Sequence, residues 1–318
     1  MQTYLKSKPV WMQLLLFMGM ALGIFMFLSF IGLIILSKTT GISLLQLQNV
    51  SKWNPDNPAM IGFIRGMLLI QFLGLFLIPA FIFAKISDPE PARFLGLKKP
   101  DKYIYIILGI AIMIVAIPVV EFTGMLNQHM TLGPATQKWM KSMEEDAAKQ
   151  IQFMLNKHTP SELFLNLIFI SLFAGIGEEI FFRGVLQRLF IRAFKNPFAG
   201  IIVTAIIFSG FHLQFFGFIP RVLLGIILGT VYWYSGSLWT AIIAHFVYDG
   251  LIIVLAYFQP SIIKNPDAPI FDPGHLILPV LLSAIFTSLL IYQMKKLSVT
   301  SYASVYKNDQ PQPEEFTF

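Results

Sequence analysis

Long apolar stretches separated by short polar segments dominate this chain. A helix needs roughly 20 apolar residues to cross a bilayer, and eight stretches reach or approach that length. They cover about residues 11–36, 61–84, 103–121, 161–190, 198–216, 219–235, 238–257 and 274–294. Proline, glycine and asparagine punctuate the segments between them. The pattern predicts an all-α fold, a polytopic transmembrane helix bundle of about eight helices.

The two ends of the chain differ from this apolar core. Lys6 and Lys8 precede the first stretch. That stretch is much longer than the roughly 7–15 apolar residues of a signal peptide and shows no small-residue cleavage site, so it is predicted to be a transmembrane helix. The segment 297–318 is polar and is predicted to be a disordered tail.

Composition agrees with a lipid environment. Hydrophobic residues make up 56% of the chain and charged residues 13%, and the mean hydropathy is +0.69. The absence of cysteine excludes disulfides, thiolate metal sites and a cysteine nucleophile. The net charge of +6 comes without a basic cluster of the kind that reads nucleic acid, so no nucleic-acid partner is expected.

The distribution of lysine and arginine predicts the orientation of the bundle. With the N-terminus inside, the cytoplasmic segments carry more of these residues than the outer segments, as membrane proteins usually do. Both termini are therefore expected in the cytoplasm.

The longest segment outside the predicted spans covers about residues 122–160. Its apolar residues have helical spacing and its charges are mixed, which favours an amphipathic helix on the membrane surface. A lid that gates substrate access is the alternative. Thr159 and Glu162 form a capping box around Pro160, which predicts the start of the next helix, extending to about Phe194.

Several ionisable residues lie well inside the apolar stretches. Such groups are costly in lipid, face the bundle interior or a water-filled cavity, and are functional by default. The residues in question are Glu178, Glu179, Arg183, His212, His245 and Asp249. The remaining histidines lie in loops or near span ends and are interpreted as ordinary solvated side chains: His129, His158 and His275.

Helical rise places three of these groups at a similar depth. Asn196 and Pro197 turn the chain back, and Glu178 and His212 each lie about 25 Å from that turn. His245 lies about 12 Å from the end of its own helix. The estimates agree if the turn projects beyond the membrane surface, so three helices are expected to bring these side chains together.

Helical spacing then separates the roles of the two adjacent carboxylates. Glu179 and Arg183 are four residues apart, in the order that favours an ion pair, and a buried pair of this kind fixes geometry. Glu178 is turned about 100° away and keeps its carboxylate free. A free carboxylate in such a setting suits a general base that activates water. Gly175 and Gly177 leave room for another helix or a substrate backbone to approach.

Three motifs in order carry a resemblance to a known family. They are Glu178-Glu179-xxx-Arg183, Phe208-xxx-His212 and His245-xxx-Asp249. On successive apolar helices they resemble the CPBP family of membrane proteases, which comprises CAAX prenyl endopeptidases of type II and bacteriocin-processing proteins and is also called the Abi family. The resemblance covers about residues 160–255.

The resemblance implies an intramembrane bundle that hydrolyses a peptide bond. By the family pattern, Glu178 activates water with the assistance of His212, and His245 and Asp249 stabilise the oxyanion. Glu179 and Arg183 would hold the site together, and Phe208 would wall His212. A peptide or prenylated protein is the implied substrate, with membrane lipid as the surroundings.

Two interpretations of cofactor use are open at this stage. In the family that the motifs resemble, the last motif often ends in asparagine, which can donate a hydrogen bond to an oxyanion. An ionised Asp249 repels an oxyanion instead, and it can stabilise one only when it is protonated or bound to a metal. Glu178, His212, His245 and Asp249 could ligate a divalent ion such as zinc. No HExxH motif is present and these ligands come from three helices, so the first choice is a reaction that requires no cofactor.

The chain divides into four regions on this basis. Residues 1–160 hold N-terminal transmembrane helices and a loop without a recognised motif, 161–257 a catalytic core, 258–296 the last transmembrane helix and 297–318 the tail. A non-proteolytic membrane scaffold or immunity-type protein is the first alternative. A proton-coupled transporter is the second, although the repeated halves and broken helices typical of transporters are not seen.

Two further features have structural interpretations. Arg65 and Gln71 are polar residues inside the second stretch, and they are expected to line the cavity or to pair with Glu121. Gly225 and Gly229 are expected to permit close helix packing within the bundle.

Overall fold

All regular structure is helical in the residues that the computed structural model describes, which are 5, 8–48, 50, 53–130, 133–261 and 276–306. These residues form the helices α1 (Val10–Thr40), α2 (Leu44–Leu47), α3 (Pro58–Ser87), α4 (Pro91–Phe94), α5 (Ile104–Val115), α6 (Ile117–Gln128), α7 (Pro134–Leu155), α8 (Pro160–Phe194), α9 (Pro197–Phe211), α10 (Phe218–Ser235), α11 (Leu238–Phe258), α12 (Ile277–Leu297) and α13 (Tyr302–Tyr306).

The predicted bundle of membrane-crossing helices is confirmed. Within the described ranges, six helices are long and apolar enough to cross a membrane, namely α1, α3, α8, α10, α11 and α12. The count is seven if α5 and α6, which meet at a bend of 41°, form one span. Helix α9 has only 15 residues, because the chain leaves the helix at His212 and Leu213 takes a positive φ of 53°.

Helices α3 and α8 contain turns of π-helix. These turns lie at Phe72–Leu77, Leu167–Leu172 and Glu179–Gln187. A π turn replaces the hydrogen bonds of the α-helix by bonds that span one more residue, and such turns are frequent at functional sites. The last of them contains both members of the predicted ion pair, so the ideal α-helix used in the sequence argument is only an approximation there.

The two glycines before the carboxylates let other helices approach α8 closely. A Cβ added to Gly175 would lie 3.2 Å from the backbone nitrogen of Phe246 in α11. A Cβ added to Gly177 would lie 3.0 Å from the rings of Phe72 and Phe76 in α3. Of the two predicted uses of these glycines, the structure thus shows helix packing, with α11 and α3 on either side.

The glycine pair in α10 has the same purpose. A Cβ on Gly225 would lie 2.8 Å from the Cβ of Ala205 in α9, and one on Gly229 would lie 2.6 Å from Oε1 of Gln187 in α8. The prediction of close packing inside the bundle is confirmed, and it places α8, α9 and α10 in direct contact around the residues that carry the motifs.

Arg65 of α3 links this helix to α8 and, through Asn166, to α7. It forms an ion pair with Glu162 of α8, and its Nη2 also donates to Oδ1 of Asn166 at 3.3 Å. The Asn166 amide donates in turn to the carbonyl of Met154 in α7 at 3.0 Å. The predicted pairing with Glu121 is therefore wrong for Arg65. The Glu162 backbone N–H donates to the Thr159 hydroxyl at 3.3 Å, so Thr159 caps α8 as predicted.

The tail is ordered at its start, contrary to the prediction. Tyr302–Tyr306 form helix α13, and the Tyr306 hydroxyl donates to the carbonyl of Arg188 at 2.9 Å. The Arg188 guanidinium lies 5.3 Å from the centre of the Tyr306 ring. Helix α13 is therefore held by contacts with Arg188 near the end of α8, and the polar composition of the tail does not reveal these contacts. Residues 307–318 of the predicted tail lie outside the described residues.

Candidate active site

The four residues predicted to be catalytic line one cavity inside the bundle. Its volume is about 560 Å³, and its lining includes Glu178 of α8, His212 at the end of α9, and His245 and Asp249 of α11. Gln71 also lines the cavity, which is one of the two positions predicted for it. Glu178, His212 and His245 thus meet at one cavity, as the helical rise predicts. His129 and His158 are not among its lining residues, and His275 falls outside the described part of the chain.

A buried ion pair ties the site helices together. Arg183 Nη1 lies 2.8 Å from Glu179 Oε1, and the two side chains are 1% and 0% exposed. Arg183 Nη2 also donates to the carbonyl of Gly225 in α10 at 3.2 Å. Its guanidinium lies 4.7 Å from the centre of the Phe208 ring, within the range of a cation–π contact. One arginine therefore connects α8, α9 and α10, which is the structural role predicted for the pair.

Glu179 makes a second contact that the sequence argument missed. Its Oε1 lies 2.8 Å from Nδ1 of His245 on α11. On the other side of the imidazole, Nε2 lies 3.3 Å from Oδ2 of Asp249. Arg183, Glu179, His245 and Asp249 thus form a continuous polar chain. Glu179 fixes the orientation of the histidine ring as well as holding the arginine.

Glu178 stands apart from this chain although it is the next residue. It is only partly buried and lines the cavity. Among the described residues, its carboxylate has no hydrogen-bond or ion-pair partner, whereas Glu179 has two. Gly175 and Gly177 bring α11 and α3 against neighbouring faces of the same helix turn. The contrast between the adjacent carboxylates is the one predicted from their different directions on the helix.

His212 is oriented by its own helix. Its Nδ1 lies 3.0 Å from the carbonyl oxygen of Phe208, one turn earlier. A carbonyl can only accept, so Nδ1 is the protonated nitrogen and Nε2 keeps a lone pair. The ring also makes an edge contact with Phe208 at 5.0 Å between centroids. Phe208 therefore contacts both His212 and Arg183, in agreement with its predicted place as a wall.

Three polar residues of the cavity were missed as site candidates, namely Gln150, Arg221 and Tyr248. Tyr248 precedes Asp249 on α11, and Arg221 lies in the first turn of α10. Arg221 Nη1 donates to the backbone carbonyl of Gln214 at 3.2 Å, and Nη2 donates to its side-chain oxygen at 2.5 Å. The signal for Arg221 was its position inside the apolar stretch 219–235. A charge so near the start of a stretch is equally typical of the segment outside the membrane, so the sequence alone does not direct it into the cavity.

The donor arrangement does not fit a resident metal ion. In the ranges described, no group of three or more histidine, aspartate or glutamate side chains is arranged to hold one. Both nitrogens of His245 face carboxylate oxygens, at 2.8 Å and 3.3 Å, so neither can bind a metal ion without giving up that contact. In this arrangement, the set Glu178, His212, His245 and Asp249 does not fit zinc.

Comparison with known proteins agrees with the resemblance seen in the motifs. Residues 160–251 match the family model described as type II CAAX prenyl endopeptidase Rce1-like. These residues contain every side chain named above for the three motifs, and the predicted resemblance is confirmed over them. With its six or seven apolar spanning helices, the chain is an integral, multi-pass membrane protein.

A curated relative matches part of the chain. The uncharacterized protein YpbD of Bacillus subtilis (strain 168) is 25% identical over 130 residues, which cover 39% of this chain and 61% of that protein. The matched stretch thus spans less than two thirds of the relative. No solved structure matches the chain.

Proposed function

We propose that this protein is an intramembrane endopeptidase that hydrolyses a peptide bond near the C-terminus of a prenylated or otherwise membrane-associated peptide. The observation that carries the proposal is the unpartnered carboxylate of Glu178, which shares one cavity with His212, His245 and Asp249. A carboxylate without a partner is available for proton transfer. The family match of residues 160–251 supports proteolysis as the reaction class.

Glu178 is the general base in this proposal. It takes a proton from a water molecule while the water oxygen attacks the carbonyl carbon of the scissile peptide bond. His212 holds the same water through the lone pair on Nε2, because its Nδ1 is occupied by the Phe208 carbonyl. Glu178 then gives the proton to the peptide nitrogen, and the C–N bond breaks. The atoms balance as water plus peptide to acid plus amine.

His245 is the proposed donor to the oxyanion. In the doubly protonated ring Nδ1–H donates to Glu179, and Nε2–H is the donor that can turn to the substrate. In the present arrangement Nε2 faces Asp249, whose side chain is 29% exposed at the cavity wall. The substrate oxygen takes the place of the Asp249 carboxylate at Nε2. Before substrate binds, Asp249 thus orients the His245 ring. When the Asp249 side chain moves aside, the repulsion between its carboxylate and the oxyanion is avoided.

The cavity wall supports an apolar, lipid-like substrate. Aromatic side chains of α3 and α8 form much of it, including Phe72, Phe76, Phe169 and Phe173. A volume of about 560 Å³ falls within the usual range of ligand pockets. Such a wall accommodates a prenyl chain or an apolar peptide next to the polar groups. On the charge distribution described above, both termini face the cytoplasm.

The direct test of this function is cleavage by the purified protein. Wild type and the Glu178→Ala variant are purified in detergent and offered prenylated CAAX peptides and a library of membrane peptides. We expect products from wild type alone, identified by mass spectrometry. Equal cleavage by both proteins would remove Glu178 from the reaction. Cleavage of nothing by either would support the alternative of a non-proteolytic scaffold.

Metal removal gives a separate prediction about the mechanism. We expect wild-type turnover to be unchanged within assay error after treatment with a strong chelator, because Glu178 and the histidines suffice for water activation. Initial rates on the cleaved peptide are compared before treatment, after treatment and after addition of zinc. Complete loss of activity that zinc restores would show that a metal ion, and a different arrangement of these donors, is required.

A further inference from the structure

Arg221 is the one arginine or lysine among the described residues that line the active-site cavity. The other charged groups of the lining that can carry negative charge are Glu178 and Asp249. The cavity therefore has an acidic part around the catalytic groups and a cationic point at the start of α10. A substrate placed across it meets both.

The hydrogen-bond partner of Arg221 is a neutral residue, whereas Arg65 and Arg183 make ion pairs. Arg65 pairs with Glu162 and Arg183 pairs with Glu179. Arg221 instead donates to two oxygens of Gln214. Among the described residues, the carboxylates of Glu144 and Glu178 act on Arg221 electrostatically, but neither makes a direct ion pair with it. Removing a cation from water without an opposite charge in direct contact is costly, so a partly buried guanidinium of this kind is suited to a negatively charged ligand.

The guanidinium is held in place and has donors to spare. It packs directly on Gly217, since a Cβ there would lie 2.5 Å from Arg221 Nη1. A guanidinium has five N–H donors, and the contacts with Gln214 use two of them. The Gln214 amide in turn donates to Glu144 of α7 at 3.3 Å, which fixes the position of its oxygen. The remaining donors of Arg221 are available to a ligand in the cavity.

We propose that Arg221 binds a carboxylate of the substrate, and that the C-terminal carboxylate of the peptide is its source. This inference rests on the proposed function. A planar guanidinium binds a carboxylate through two parallel hydrogen bonds, which fixes orientation as well as position. Glu178 and Asp249 repel a second negative charge near the reacting bond. The carboxylate is thereby confined to the Arg221 end, which sets the distance between the C-terminus and the bond that is cleaved.

The test compares three forms of one farnesylated CAAX peptide. The first has a free C-terminus, the second is amidated, and the third is amidated but carries aspartate as its last residue. For wild type we expect kcat/KM for the free acid to exceed that for the amide by on the order of 10- to 100-fold, the usual value of a charged hydrogen bond. In Arg221→Gln the ratio should fall to near one, and Arg221→Lys should retain part of it.

A ratio of two substrates on the same protein does not depend on how much of a variant folds. Lys141→Gln, which removes an exposed cation of α7, should keep the wild-type ratio. An equal rate for acid and amide in wild type, or an unchanged ratio in Arg221→Gln, would overturn the proposal. Rescue of the amide by the aspartate side chain would support recognition of a carboxylate, because the side chain then substitutes for the missing C-terminal one.

Binding separates this proposal from the proposed function itself. The same peptides are titrated onto Glu178→Gln and onto the double variant Glu178→Gln/Arg221→Gln, neither of which needs to cleave. Preference for the free acid in the first protein and its loss in the second would support Arg221 even if wild type hydrolysed none of the peptides. Equal affinity for acid and amide in Glu178→Gln would overturn the role of Arg221 whatever the activity.

Discussion

Glu178→Gln is expected to lower kcat/KM by about 10²- to 10⁴-fold, the contribution of a positioned general base. The amide has almost the same size as the carboxylate but cannot take a proton from water. Because the Glu178 carboxylate has no hydrogen-bond or ion-pair partner among the described residues, the substitution removes no hydrogen bond or ion pair of the folded state. We therefore expect no change in the midpoint of thermal unfolding in detergent, measured on the preparation used for kinetics.

A matched glutamate on the same helix provides the control. Glu162 pairs with Arg65 and does not line the active-site cavity. Glu162→Gln should lower the unfolding midpoint while leaving turnover per folded molecule near that of wild type. Glu178→Gln should show the opposite pattern. Activity of Glu178→Gln within a few-fold of wild type would contradict the proposed base.

The sequence predicted the spans and the ion pair well because both depend on local spacing. A run of apolar residues is read directly against bilayer thickness. The Glu179–Arg183 pair depends only on a separation of four residues, which remains favourable in the π turn at Glu179–Gln187. The depth estimate for Glu178, His212 and His245 also required only the helical rise and the positions of the turns.

The contact between Glu179 and His245 could not be predicted in the same way. It depends on the rotation of α8 and α11 about their axes, which is set by packing at Gly175. Arg221 illustrates a second limit. The start of its helix was predicted within two residues of the observed one. The direction of its side chain into the cavity depends on the loop between α9 and α10, which begins at Leu213. The order in α13 depends likewise on the distant Arg188.

The π turn has a physical consequence for the site. All nine residues of Glu179–Gln187 are buried, so this part of α8 has no face toward lipid or water. Helices packed on every side leave little freedom to the side chains between them. The polar chain that starts at Arg183 is therefore held in a rigid part of the bundle, while Glu178 lies at its border with the cavity. This explains how adjacent glutamates come to have a structural and a chemical role.

Glu179→Gln is expected to destabilise the folded protein by about 3–5 kcal/mol, the cost of leaving a buried charge without its partner. Arg183 is 1% exposed, so its guanidinium is not hydrated in the folded protein. The same substitution loosens the orientation of His245, so activity per folded molecule should fall as well. Unfolding free energies from denaturant titration in detergent micelles, together with kcat/KM corrected for folded protein, measure the two effects.

The double variant Glu179→Gln/Arg183→Met distinguishes the two roles of Glu179. Removing the cation together with its partner should recover much of the lost stability, because no uncompensated charge is left in the core. It should not recover activity, since His245 Nδ1 still lacks the carboxylate that orients it. A double variant no more stable than Glu179→Gln alone would show that the ion pair does not account for the destabilisation. Recovery of activity along with stability would show that Glu179 acts on the reaction only by keeping the protein folded.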